Sequence, residues 1–103
     1  MKTIMLVCNA GMSTSMLVTK MKKAAMEKGV DVEIFAIPVS EVAEQVASKA
    51  IDVILVGPQV KFMVSQYKKD YEPKIKVDSI NMQDYGVMNG EKVLETALKM
   101  LAE

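Results

Sequence analysis

The sequence predicts an α/β fold: a single domain, residues 1–103, holding an open four-stranded parallel sheet with helices on both faces. Short apolar runs of strand length recur along the chain, and amphipathic stretches of helix length separate them. The length of 103 residues suffices for one core and not for two.

The run Ile4-Met5-Leu6-Val7, within Thr3 to Val7, reads as a first strand buried on both faces. After Asn9-Ala10-Gly11, Ser13 or Thr14 supplies a cap for a helix that presents Leu17, Met21, Ala24 and Ala25 inward and ends near Gly29. Val30 to Ile37 is a second strand with Val32, Ile34 and Ala36 on one face. Pro38 breaks it, and Ser40 caps a helix to about Lys49 with Val42, Val46 and Ala50 inward. Val53 to Val56 is the third strand, stopped by Gly57-Pro58 before an amphipathic segment from Val60 to about Asp70. Lys74 to Ile80 is a weaker fourth strand, and Asn81 to Asn89 reads as a polar loop. A final helix carries the stripe Val93, Leu94, Ala97, Leu98 and Leu101. Six of the ten methionines, Met5, Met16, Met21, Met26, Met63 and Met100, fall inside these elements and read as core filling. Met12, in the loop beside the cysteine, is the exception and has two readings, part of a docking surface or core.

Composition narrows the chemistry. Thirteen basic residues, all Lys, balance thirteen acidic ones and form no stripe, which argues against a nucleic-acid partner. There is no Arg, no His and no Trp, and Cys8 is the single cysteine. Imidazole-assisted nucleophilic catalysis, an internal disulfide and a cysteine-rich metal site are thereby excluded, and neither metal nor cofactor is expected. No apolar stretch reaches membrane-spanning length and the first residues lack signal-peptide architecture, so a cytoplasmic protein is expected.

Cys8 closes the first strand, at the sheet edge where open parallel sheets place their sites. The segment Asn9-Ala10-Gly11-Met12-Ser13-Thr14 has no Pro, so every residue keeps an N–H to turn toward an anion. The positive end of the following helix favours negative charge at the sulfur, activating it and then stabilising a phosphoryl group on it. Gly11 permits close approach, and Ser13, Thr14 and Ser15 offer hydroxyls as caps or as donors to phosphate. The residues alone leave a second reading open, in which Cys8 is a small buried strand end and the hydroxyl cluster only caps a helix.

The stretch Cys8-Asn9-Ala10-Gly11-Met12-Ser13-Thr14-Ser15, with Met16-Leu17-Val18, resembles the phosphocysteine loop of the lactose/cellobiose family of EIIB components of the sugar phosphotransferase system (PTS). Val56-Gly57-Pro58-Gln59-Val60, the late Tyr85-Gly86 and the overall length resemble the same family, so the likeness covers essentially the whole chain. It implies a fold like that of low-molecular-weight tyrosine phosphatases and a phosphotransferase activity. Cys8 would accept phosphoryl from a phosphohistidine of EIIA and pass it to a sugar bound by the membrane permease EIIC. Asn9, Ala10, Gly11, Met12, Ser13, Thr14 and Ser15 would form the phosphate-binding loop. The form of the loop looks closer to cellobiose and diacetylchitobiose members than to lactose ones.

The alternative is a low-molecular-weight phosphatase-like hydrolase. Its motif places Arg where Thr14 stands, and a guanidinium is a main source of transition-state stabilisation there, so efficient hydrolysis is not expected. Asp84-Tyr85 superficially matches its acid loop, yet Asp near Gly reads more simply as turn chemistry. A thiol switch ranks last, since no resolving cysteine is present. Gln59 reads equally as a partner or loop contact and as a helix start; Tyr85 reads as rim or partial core. Lys20, Lys22 and Lys23 read as a solvated helix face. A monomer with transient partners is expected.

Overall fold

The first apolar run forms strand β1 (Lys2–Cys8), in which Ile4, Met5, Leu6 and Val7 are completely buried. The side-chain period of two sends Ile4 and Leu6 to one core and Met5 and Val7 to the other, so a sheet covered on both faces follows from the composition of one strand. The computed structural model describes residues 1–9 and 12–103. Its strands β1, β2 (Val32–Pro38), β3 (Val53–Val56) and β4 (Lys76–Ser79) pair in parallel in the order β2-β1-β3-β4.

Helix α1 (Met12–Lys28) follows β1 and lies on one face with α5 (Gly90–Ala102). Helices α2 (Val42–Ser48) and α3 (Val64–Tyr71) cover the other. Leu17, Met21, Ala24 and Ala25 bury the inner stripe of α1 as the spacing predicts. The helix stops where Gly29 takes φ 69°: its N–H donates to Met26 O and that of Val30 to Ala25 O, a Schellman ending.

Several details differ from the sequence reading. Ser40 caps nothing: a 3-10 turn, Val39–Glu41, follows Pro38 and runs directly into α2. That helix ends at Ser48 and Lys49 is extended, so helical periodicity does not reach Ala50, which is exposed while Ile51 turns inward. The segment after β3 begins as a 3-10 stretch, Pro58–Met63, kinked at Val60. Met16 and Met26 are exposed, unlike the buried Met5, Met21 and Met100. The polar stretch after β4 is not simply a loop. It holds the short helix α4 (Met82–Gly86), whose first N–H groups, of Gln83 and Asp84, both donate to Asn81 Oδ1.

Candidate functional site

The strand order reverses between β2-β1 and β1-β3, which puts the carboxyl end of β1 at the topological switch point of the sheet. Cys8 is the residue at that end. The registers Cys8↔Pro38, Val7↔Val56 and Val56↔Ser79 bring the exits of all four strands level with it. Its thiol is buried and donates to Ile37 O at 3.7 Å. Asn9 beside it is exposed, and four residues after Cys8 the seventeen-residue helix α1 begins at Met12, its first N–H groups without an intrahelical acceptor.

Thr14 lies in the first turn of α1 rather than before it, which corrects its reading as a cap. It is buried, and its Oγ1 lies 3.1 Å from the hydroxyl of Tyr85. Tyr85 is likewise buried, so of its two readings the core position holds and the rim does not. Asp84 sits inside α4, not in a turn. Ser15 is exposed and its carbonyl accepts from the Thr19 hydroxyl. Ala10 and Gly11, and the side chains of Met12 and Ser13, lie outside the described residues.

Gln59 is exposed and belongs to the same edge through Gly57. Gly57 donates its N–H to Val7 O at 2.7 Å. A Cβ on Gly57 would stand 3.2 Å from that oxygen, 3.5 Å from Gln59 Oε1 and 3.9 Å from Cys8 Cα. The absence of a side chain at position 57 therefore lets the chain leaving β3 approach the Val7 carbonyl closely, one residue before the cysteine. Sequence reasoning used Gly57 as a strand stop and as part of the family-like Gly-Pro-Gln segment, not as a packing residue; a Gly-Pro directly after a buried strand was the available signal for close backbone approach. Lys20, Lys22 and Lys23 are exposed, as a solvated face requires. Among the described residues no three His, Cys, Asp or Glu side chains gather as metal ligands, and no helix is long and apolar enough to cross a membrane.

Fold and site together define a doubly wound α/β protein with a single cysteine at its switch point. The chain belongs to the lactose/cellobiose-specific IIB subunits of the PTS, whose family model matches residues 3–96. It is 48% identical to the galactose-specific EIIB component of Lactococcus lactis subsp. cremoris, over 97% of this chain and 96% of that one. It is 47% identical, over the same shares, to the cellobiose-specific EIIB component of Lactococcus lactis subsp. lactis. The solution structure of the cellobiose-specific IIB component from Borrelia burgdorferi superposes with a TM-score of 0.78 at 42% identity, covering 98% of this chain and 92% of that one. A YwlE mutant from Bacillus subtilis, 17% identical, shares the fold alone, with a TM-score of 0.60 over the whole of both chains. The fold class expected from the sequence, phosphatase-like in shape, is the one observed. As an EIIB component the chain is a phosphotransferase of sugar uptake.

Proposed function

We propose that Cys8 is the phosphoryl carrier, taking the group from a phosphohistidine of EIIA and giving it to a sugar presented by EIIC. The observation that supports this most is the position of Cys8 at the switch point, with the N-terminus of α1 four residues on. Asn9, Ala10, Gly11, Met12, Ser13, Thr14 and Ser15 are the phosphate-binding loop, and backbone N–H groups are its main donors. The Thr14 hydroxyl faces Tyr85, which favours an N–H contribution from that residue.

The atoms balance without a base from this chain. As the N–P bond of the donor breaks, the S–P bond forms, and the departing imidazole takes the thiol proton that Ile37 O accepts in the resting state. In the second step the S–P bond breaks, a sugar hydroxyl gains the phosphoryl group, and the hydroxyl proton returns to the Cys8 sulfur. The lack of His in the chain is thus compatible with transfer. The lack of Arg removes the cation that would most stabilise hydrolysis, so phosphocysteine keeps its transfer potential.

The sugar is a β-linked disaccharide of the cellobiose or diacetylchitobiose kind, a reading supported by the loop sequence. The near-equal identities to the galactose-specific and cellobiose-specific relatives argue that selectivity resides mostly in EIIC. The protein works as a cytoplasmic monomer that meets donor and acceptor in turn, with Gln59 on the meeting surface.

Phosphoryl transfer from phosphorylated EIIA to wild type and to Cys8→Ser, followed by intact mass and radiolabel with an aryl phosphate assay alongside, tests the reading. One phosphoryl group on wild type alone, with negligible hydrolysis, is expected. Cys8-dependent turnover of aryl phosphate without transfer would make the protein a phosphatase instead.

A further inference from the structure

We propose that Tyr85 is a positioning residue for phosphoryl transfer, holding the start of α1, the helix that follows Cys8, through the Thr14 hydroxyl. This rests on the carrier reading above. Thr14 and Tyr85 are 71 positions apart in sequence, yet their hydroxyl oxygens are 3.1 Å apart, in a buried contact. A buried hydroxyl without a partner is costly, so each fixes the other's place.

The Tyr85 end of this contact is anchored independently. Tyr85 lies on α4, whose start is held by Asn81 and whose end is tied by Asn89 N–H to Asp84 O at 2.8 Å. Asn81 itself follows Ile80, whose N–H donates to Val56 O at the exit of β3. Thr14 lies in the first turn of α1, the helix that follows Cys8 in the chain. The pair therefore fixes the helix start, and with it the N–H groups offered to phosphate, to the segment that leaves β4 at the same end of the sheet. Preorganised donors of this kind act on the transition state because they need not reorganise as charge develops.

Single-turnover transfer from phosphorylated EIIA tests the proposal in Tyr85→Phe, Thr14→Val, Thr14→Ser and the double variant Tyr85→Phe/Thr14→Val. Tyr85→Phe should lower the transfer rate at saturating donor about three- to tenfold, the equivalent of one hydrogen bond, with the half-saturating donor concentration unchanged. Thr14→Val should do at least as much, Thr14→Ser should recover most of that loss, and the double variant should be no slower than Thr14→Val. Amide hydrogen exchange of the unphosphorylated protein supplies a readout independent of transfer: Tyr85→Phe should speed exchange about three- to tenfold at residues 14–16 and not across α5. A wild-type transfer rate in Tyr85→Phe, multiplying losses in the double variant, or unchanged exchange at residues 14–16 would overturn the tether. Failure of the wild type to take phosphoryl on Cys8 would instead sink the carrier reading, and the exchange data would still decide whether Tyr85 holds the helix start.

Discussion

Tyr67 is buried against the second core, and its hydroxyl has no hydrogen-bond partner among the described residues. Removing such a group relieves a desolvation cost instead of breaking a bond, so Tyr67→Phe should raise unfolding free energy by about 1 kcal/mol in urea denaturation. A loss of stability would show that an internal water satisfies the hydroxyl. Burial, and secondarily the negative charge Tyr71 acquires on ionisation, pushes the Tyr67 pKa above its ordinary 10.0; Tyr71 is raised by burial and then by Asp70. The folded state therefore favours the neutral phenols. Their contribution is complete below pH 10.0 and is lost as pH rises through the raised values, so stability should fall on alkaline titration, less steeply in Tyr67→Phe. Equal alkaline slopes for the two proteins would contradict that assignment. The candidate site was legible at this scale only in part. Cys8 ends an apolar run and could be found from the sequence, whereas the partner of Thr14 lies 71 residues away and no local pattern announces it.

Helix α4 shows what element-scale reading loses. Its five residues are too few for a hydrophobic period, and their polar composition resembles a loop. The usable signal was the cap: Asn81 followed by Asp84 three residues later, just beyond a strand. By contrast α1 and α5 are long enough to show an inward stripe, and the ending of α1 was legible in Gly29. Ser40 misled because a cap residue after Pro38 has a second outcome, a 3-10 turn, that composition does not distinguish. Since Asn81 Oδ1 accepts from two N–H groups, Asn81→Ala should cost about 1 kcal/mol. It should also slow transfer in the direction of Tyr85→Phe, because α4 carries the tyrosine. Loss of stability with transfer untouched would mean that α4 is scaffold only.

At the scale of the whole molecule, the site depends on two layers of helix holding one sheet, and the layer formed by α1 and α5 closes over Gly90. A Cβ there would lie 2.6 Å from the Lys20 backbone carbon and 2.7 Å from Met21 N, closer than packed atoms approach. These are backbone neighbours that no rotamer change can clear, so the two helices must separate to admit even a methyl group. Gly90→Ala should therefore lower unfolding free energy by about 1–3 kcal/mol, read from urea denaturation. The crossing lies two turns along α1 from Thr14, and Cys8 sits on β1, whose pairing with β2 and β3 does not involve α5. Below the transition the folded variant should still take one phosphoryl group on Cys8 at close to the wild-type rate. If the rate falls in step with stability, the spacing of α1 and α5 sets the aim of the loop, and the geometry of the site belongs to the helical layer as much as to the strand end.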